Sequence, residues 1–472
     1  MSCSLEPCAT PKITCLATHG GLAGGAAIAM ERLAAGLRAA GAEVDVVTRA
    51  ADGWPHALRQ FDRRIRRRIR HGRTPLSNTL FTADWPAWDI STHPAITGCD
   101  LVNLHWVAGF LGAEGLSRIV SSGRPVAWTL HDMRAFTGGC HYSAGCGGFT
   151  ANCTACPQLV PRLGQVASRS LSRSRRRLHG IPLMFVTPSR WLAGELVRSS
   201  LFDPEAHAVR VIPNGIDLAR FCPGDRAAAR ARLELPAEGL GILLGSVSLE
   251  ERRKGGDAAG AAIGRMVAEL AANPTVGPPP FVITYGSGAL NVPGVACRHL
   301  GPVDEAGVLE AIHASDVHMT MAREDNLPNT VMEAMACGLP VVAARAGGLP
   351  EMIVDGVSGW LVDVDNSPQA AALLADLARG TTQAASIGRQ ARRQAEVEWD
   401  SGVQARRYLD LAAELKHSLQ GSWPCGGEPG AVPGRTATLT PAVAGLVHPL
   451  AGLRGPLRRA RRLVANASRR AA

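Results

Sequence analysis

The chain has 472 residues, 46% of them hydrophobic, which is enough for two or three domains with buried cores. No run of about 18 uncharged apolar residues occurs, which excludes a conventional membrane-spanning helix, and residues 1–11 lack the basic-then-apolar order of a secretory signal. The net charge is +10 but only 4% of residues are aromatic, which disfavours reading of nucleic acid by base stacking, so we expect a cytoplasmic protein without a nucleic-acid partner.

The positive charge is concentrated in three segments. Residues 59–73 hold eight arginines and one acid, residues 162–177 hold six arginines, and residues 448–472 hold seven. In the first segment Ile65 and Ile69 predict a short basic amphipathic helix. Such segments suit an anionic membrane surface or a lipid-phosphate acceptor, and hence a peripheral position on the inner face of the plasma membrane. Solvated surface charge explains each of them as well.

The chain begins with the pattern of a nucleotide-binding fold. A strand over 12–18, a glycine-rich loop over 19–25, a helix over about 26–40 and a strand over 43–48 follow one another. Glycine lets a ligand approach the backbone closely, although it also simply makes turns. The loop contributes four candidate ligand-binding residues, namely Gly20, Gly21, Gly24 and Gly25.

Two more strands are predicted over 101–106 and 126–130, and the second runs directly into His131 and Asp132. Ligands of open α/β sheets collect at the carboxyl ends of the strands. We therefore take His131 as a candidate catalytic residue with Asp132 as its orienting partner, although a lone histidine is more often a structural hydrogen-bonding group.

A cysteine-containing insert is predicted over 138–159. Its four cysteines have five, six and two residues between them, and the last pair forms a Cys-x-x-Cys. Four thiolates fit a structural zinc site, while four buried free thiols or a redox pair are the alternatives. The candidate metal ligands are Cys140, Cys146, Cys153 and Cys156.

The segment 209–217 is predicted to leave the first domain, with a turn at Pro213-Asn214-Gly215 in which Gly215 is free to take positive φ. The second domain then starts with a strand over 242–247. A charged loop follows and contains Arg252, Arg253 and Lys254, before a helix that ends near residue 272.

The segment 321–342 carries the most information. A polar loop with Glu324 and Asp325 precedes a helix over 329–337 and a buried strand over 340–344. The first amides of the helix lie at its positive end and can hold a phosphate. They belong to Asn329, Thr330 and Val331. Asp325 and Glu333, eight residues apart, can accept hydroxyl groups on either side of that phosphate, as a nucleotide-sugar requires. A solvated loop with a helix-terminal acid fits the residues equally well.

The segment from Asp325 to Val342 resembles the signature of retaining glycosyltransferases of family 4, which have the GT-B fold. Thr-Leu-His-Asp at His131, the Lys254-Gly255 step, and Gly-Gly-x-Pro-Glu from Gly347 are also similar. The insert is similar to those of bacterial exopolysaccharide and capsule enzymes. The resemblance implies two Rossmann-like α/β domains facing across a cleft, over 12–215 and 216–400. A helix over 401–417 returns to the first domain, and 418–472 is a linker and basic tail.

The resemblance also implies roles. The enzyme would transfer a hexose from a nucleotide diphosphate sugar to a glycan or lipid-linked acceptor with retention, without a metal cofactor for catalysis. Lys254 and Arg253 would hold the diphosphate; Ser248 stands where many members have an arginine, so Arg253 or Arg252 supplies that charge.

In the resembled family Glu333 would contact the ribose, and Gly347 and Gly348 would line the donor site. Asp325 would contact the donor sugar, where glutamate is usual, with Glu324 as a substitute. The alternatives are a nucleotide-sugar epimerase or phosphorylase of the same fold, and a non-enzymatic basic binding protein.

Overall fold

The structure is a computed structural model that describes residues 10–20, 24–49, 56–76, 79–84, 89–273 and 277–418. All of these residues belong to one compact unit. Gly21 and most of the predicted linker and basic tail lie outside the described residues.

The first domain surrounds a sheet of six parallel strands. They are β1 (Lys12–Ala17), β2 (Glu43–Thr48), β3 (Leu101–Leu104), β4 (Val126–Thr129), β5 (Leu183–Thr187) and β6 (His207–Val211). Their order in the sheet is β2-β1-β3-β4-β5-β6. The helices are α1 (Gly25–Ala39), α2 (His56–Arg70), α3 (Pro94–Thr97), α4 (Ala113–Ser121), α5 (Gly164–Leu178) and α6 (Arg190–Arg198). The residues of β3, β4 and β5 are all buried, which explains their continuous apolar sequences.

The second domain repeats this plan. Its strands are β7 (Gly241–Ser248), β8 (Phe281–Ser287), β9 (Ala296–His299), β10 (Val317–Thr320), β11 (Val341–Ala344) and β12 (Trp360–Val362), in the order β12-β11-β10-β7-β8-β9. Its helices are α7 (Arg226–Arg232), α8 (Gly256–Ala272), α9 (Glu305–His313), α10 (Asn329–Ala336), α11 (Leu349–Met352), α12 (Ser367–Ala378) and α13 (Ala384–Glu398). The predicted fold class, two parallel-sheet α/β domains, is confirmed.

The strand order places the binding crevices. In each sheet the chain builds outward on one side of its first strand and then crosses to the other side, so that β1 lies beside β3 and β7 beside β10. Ligands of doubly wound sheets bind beyond the carboxyl ends of the strands at such a switch point. The glycine-rich loop follows β1, the loop with Lys254 follows β7, and the loop with Asp325 follows β10.

The last described helix, α14 (Ser401–Ser418), packs on the first domain. The Tyr408 hydroxyl lies 2.9 Å from Thr129 Oγ1, and Leu411 and Leu415 join the core that lies under α1. The chain thus crosses between the domains twice, and the crossings are hydrogen-bonded: Ile216 N donates to Trp399 O at 2.8 Å.

The reason given for Gly215 was wrong. This residue is not among the glycines with positive φ. A Cβ there would lie 2.7 Å from Gln404 Oε1 and 2.9 Å from Ser401 Cα, so α14 excludes a side chain by close approach.

The predicted basic helix exists as α2. Ile69 is buried and Ile65 packs against the first-domain core, so the apolar face serves the fold, and Arg63, Arg64 and Arg67 are exposed. Among the described residues, no helix combines the length and apolar character that a membrane span needs.

Candidate functional site

Asp325 is the charged centre of the site. Its buried carboxylate accepts from two cations through the same oxygen: Lys254 Nζ lies 2.7 Å and Arg253 Nη1 3.1 Å from Oδ2. Burial alone would raise the pKa of Asp325, but Lys254 and Arg253 lower it to about 2. The carboxylate therefore stays ionised. Arg253 is also held by Glu251, whose Oε2 lies 3.2 Å from Arg253 Nη2, so the two cations face two acids.

Close backbone contacts hold the two cations beside Asp325. Arg253 and Lys254 lie in a 3₁₀ turn that ends at Gly255 with φ +69°, where a Cβ would lie 1.8 Å from Met321 O. The Arg323 amide donates to Arg253 O at 2.8 Å and ties the two loops together. Only glycine permits this approach, which explains the Lys-Gly step.

The two candidate arginines, Arg252 and Arg253, contact different parts of the molecule. Arg253 reaches Asp325, whereas Arg252 Nη1 donates to Leu76 O of the first domain at 2.7 Å. Arg253 is therefore the residue placed to supply the charge that Ser248 lacks.

Gly347 and Gly348 support the Asp325 loop from behind. A Cβ on Gly347, which has φ +56°, would lie 1.9 Å from Asp325 O, and one on Gly348 would lie 1.8 Å from Asn326 O. The Gly348 amide donates to Asp325 O at 2.9 Å. Both glycines thus position the backbone of the acid.

Helix α10 begins where predicted, after Pro328, and its start faces the first domain. Asn329 Nδ2 donates to Gly25 O at 3.1 Å, so Gly25 and its neighbour Gly24 lie at this helix end. The expectation for Val331 was wrong, because its amide donates to Pro328 O at 3.2 Å.

The amides of Asn329 and Thr330 are therefore the ones left for an anion. Gly20, unlike Gly25, does not face the second domain. A Cβ on Gly20 would lie near Glu31 and Thr48, which belong to the first domain.

Glu333 is buried one turn into α10, and its partner comes from the other domain. Arg32 Nη2 on α1 lies 2.8 Å from Glu333 Oε1. Burial raises the pKa of Glu333, and Arg32 opposes that rise. Sequence reasoning missed Arg32, although Glu31-Arg32 is a charged step within an otherwise largely apolar stretch of α1.

His131 lies two residues after the end of β4, beside His105, which directly follows β3. His131 Nε2 lies 3.0 Å from His105 Nδ1, and burial lowers the pKa of His131 to about 4, so the imidazole is neutral. Its backbone oxygen accepts from Asn326 Nδ2 at 3.2 Å, which brings it to the Asp325 loop. The role given to Asp132 was wrong, because its Oδ2 accepts from His141 Nδ1 at 2.7 Å.

The insert reaches across to the second domain. Glu324 accepts from Ser143 N at 3.1 Å and Ala144 N at 2.9 Å, so the structure points this carboxylate at the insert and not at a donor sugar. The Arg253 guanidinium lies 4.0 Å from the centre of the Tyr142 ring, a cation–π contact. Sequence reasoning missed Tyr142 as well.

The four cysteines of the insert share the lining of one small cavity with Phe81 and Phe149. All four are free, and burial raises the pKa of the Cys140 thiol. Within the described part of the chain, no group of three or more His, Cys, Asp or Glu side chains is arranged to hold a metal ion. The zinc site stays a prediction.

Two family models match the two domains. The model of Glycosyltransferase Family 4 matches residues 23–220, and that of Glycosyl transferases group 1 matches residues 293–394. The chain therefore contains a region that matches each of the two glycosyltransferase family models, one in each domain, as the resemblance implied. Membership of the exopolysaccharide and capsule subgroup stays a prediction.

The curated relatives include D-inositol 3-phosphate glycosyltransferases. The one from Saccharomonospora viridis is 32% identical over 247 residues, which cover 49% of this chain and 55% of that protein. The one from Segniliparus rotundus is 35% identical over 184 residues, covering 36% and 39%. The chain spans about half the length, or less, of these relatives.

Solved structures share the fold. Anabaena Alr3699/HepE in complex with UDP and glucose has a TM-score of 0.56 at 16% identity, with 85% of this chain and 99% of that chain covered. Sucrose-phosphate synthase from Thermosynechococcus elongatus has a TM-score of 0.56 at 19% identity, with 86% and 100% covered.

Proposed function

We propose that the protein transfers a hexose from a nucleotide diphosphate sugar to a hydroxyl group of a glycan or lipid-linked acceptor, with retention, in bacterial polysaccharide biosynthesis. One observation carries the proposal: Lys254 and Arg253 share a single oxygen of Asp325 at the amino end of α10. The two cations and the amides at the amino end of α10 suit a diphosphate, which can take the place of acids as their partner. The UDP and glucose bound by the Anabaena neighbour support this donor class.

Transfer of the hexose requires that the leaving diphosphate be stabilised. As the bond between the anomeric carbon and the diphosphate oxygen breaks, negative charge grows on the phosphate. Lys254, Arg253 and the amides of Asn329 and Thr330 stabilise that charge, so the reaction needs no divalent cation. Asp325 accepts from hydroxyl groups of the donor sugar.

Glu333 and His131 position the donor. Glu333 accepts from the ribose hydroxyls. His131 contacts the sugar from the first domain as a neutral imidazole, because burial holds its pKa at about 4.

The proposed lipid-linked acceptor is inferred from the basic surface of the first domain. Exposed arginines cluster on α2 and on the last turn of α5, where Arg175 and Arg176 are exposed. Such a surface attracts anionic lipid head groups, with each arginine near the membrane worth about 1 kcal/mol. We propose that the enzyme works in the cytoplasm at the inner face of the plasma membrane on a lipid-linked acceptor.

The test supplies a panel of UDP-, GDP- and ADP-hexoses together with lipid-linked acceptors extracted from bacterial membranes. Release of nucleoside diphosphate that depends on acceptor supports transfer. Lys254→Ala should lower kcat/KM by at least about a hundredfold, because it removes charge stabilisation in the transition state. The control is Arg345→Ala, which removes a surface cation paired with Asp355.

Three outcomes overturn the proposal. Transfer that persists in Lys254→Ala removes the diphosphate site. Release of free sugar and nucleotide without an acceptor indicates an epimerase or hydrolytic activity. Tight salt-dependent binding of nucleic acid without any donor turnover supports the basic binding protein instead.

A further inference from the structure

A buried ion pair crosses between the domains at the predicted ribose site. Arg32 lies on α1 of the first domain and Glu333 on α10 of the second, with Nη2 and Oε1 2.8 Å apart and only 12% and 7% of the side chains exposed. Burying two charges costs several kcal/mol per ion, so the pair adds little net stability. A buried pair at the mouth of a ligand site therefore calls for a functional explanation.

Arg32 is the cation that compensates Glu333. Glu305 on α9 is a second acid near it, with Oε1 3.7 Å from Arg32 Nη2, and Tyr285 on β8 and Cys337 at the end of α10 are the neutral titratable groups close by. The negative charge of Glu305 raises the pKa of Glu333. Tyr285 and Cys337 are neutral and do not compensate the charge of Glu333.

The other cations near this place are engaged elsewhere. Arg392 of α13 donates to Ala336 O and Phe221 O at 2.6 Å, and Arg220 pairs with Glu305 at 3.2 Å. Among the described residues, Arg32 is thus the cation that contacts the Glu333 carboxylate directly.

The other half of the Arg32 guanidinium is unsatisfied. It packs 4.9 Å from the centre of the Phe221 ring, and its Nη1 is buried without a hydrogen-bond partner among the described residues. Buried N–H groups without partners are rare in folded proteins, and each calls for an explanation. An oxygen of a ligand held by Glu333 would satisfy this one.

We propose that Arg32 belongs to the nucleotide site: through Nη2 it positions the Glu333 carboxylate and keeps it ionised for the ribose hydroxyls, and through Nη1 it donates to an oxygen of the nucleotide. The proposal rests on the proposed function, since it needs a nucleotide at Glu333. Arg32 acts mainly through Glu333 and is a positioning residue. It also makes nucleotide binding depend on both domains.

The pair has a consequence for pH. Burial raises the pKa of Glu333, and Arg32 opposes that rise. Without Arg32 the pKa rises further, so a larger fraction of the acid is protonated at neutral pH. A protonated carboxyl group accepts hydroxyl hydrogen bonds less well, so nucleotide binding should then strengthen as the pH rises.

The test is nucleotide binding by isothermal titration calorimetry on the full chain. UDP, GDP and ADP are screened first, and the tightest binder is titrated from about pH 6 to about pH 9, a range that spans a raised carboxyl pKa. The variants are Arg32→Met, Arg32→Lys and Glu333→Gln. Arg38→Met, on the exposed side of the same helix, is the matched control.

We expect Arg32→Met to weaken binding at neutral pH by at least about tenfold, which is the worth of a charge-assisted hydrogen bond. Its affinity should recover at higher pH. Arg32→Lys should keep the pH profile of the wild type with a smaller loss, because it retains the charge but not the second N–H group. Glu333→Gln should bind weakly at every pH, and Arg38→Met should match the wild type.

The outcomes separate the two proposals. If Lys254→Ala weakens nucleotide binding but Arg32→Met binds with the affinity and the pH profile of the wild type, the role of Arg32 is refuted and the proposed function stands. If the wild type binds none of the three nucleotides, both fall. Circular dichroism identifies an unfolded Arg32→Met, and Arg32→Lys with wild-type affinity then refutes the role of Nη1.

Discussion

Replacing Asp325 by asparagine should destabilise the protein as well as inactivate it. The carboxyl pKa falls from its ordinary 3.8 to about 2, and each pKa unit corresponds to 1.36 kcal/mol, so the ionised form contributes roughly 2.5 kcal/mol. Only 8% of the Asp325 side chain is exposed, so solvent screens this contribution little. Asp325→Asn also leaves Lys254 and Arg253 close together without their shared acid, which adds to the loss.

The sign of the pH dependence follows from the lowered pKa. The stabilisation is complete above the unfolded-state pKa and is lost as the pH falls through the folded-state value. The difference between wild type and Asp325→Asn should therefore be constant from neutral pH down to about pH 4 and shrink towards about pH 2.

The assay is urea unfolding followed by tryptophan fluorescence at several pH values. The control is Asp376→Asn, because Asp376 is half-exposed and 3.8 Å from Arg379, and such surface pairs contribute about 0–1 kcal/mol. An Asp325→Asn variant as stable as the wild type at neutral pH would refute the electrostatic account of this site.

Two further predictions concern the insert. Tyr142→Leu removes the ring 4.0 Å from the Arg253 guanidinium and should raise the donor KM by roughly thirtyfold with little change in kcat, since a buried cation–π contact is worth about 2 kcal/mol. Tyr142→Phe keeps the ring and removes only the hydroxyl, which donates to Asp325 Oδ1 at 3.5 Å, so it should lose much less than Tyr142→Leu in steady-state kinetics; equal losses in both variants would contradict the contact. The four cysteines should bind one zinc ion per chain in purified protein, measured by plasma mass spectrometry; protein free of zinc whose stability does not change with chelator would end that prediction.

The parts of the fold that could be predicted from sequence are those with a local signal. The fully buried strands β3, β4, β5 and β11 are short, largely apolar runs, and α10 is bounded by Pro328 and Gly338 as expected. The acids and cations after β7 and β10 were predicted because the Lys254-Gly255 step and the segment from Asp325 to Val342 resemble a family signature. The structure places both loops at the same switch point.

The contacts between the domains could not be predicted, because they depend on how two sheets face each other. Arg32 and Glu333 are 301 residues apart, and no local pattern links them. The error at Asp132 has the same origin: the order β3-β4 places His105 beside His131, and strand order is not written in either segment.

The double crossing between the domains has a mechanical consequence. The segments at Ile216 and at Trp399 and Ser401 lie side by side and are joined by backbone hydrogen bonds of 2.8 and 3.1 Å. Two connecting segments that are hydrogen-bonded to each other resist a twist of one domain against the other but can still bend together as one hinge. The two domains should therefore move apart by rotation about this single hinge, which separates Arg32 from Glu333 and Tyr142 from Arg253 in the same movement.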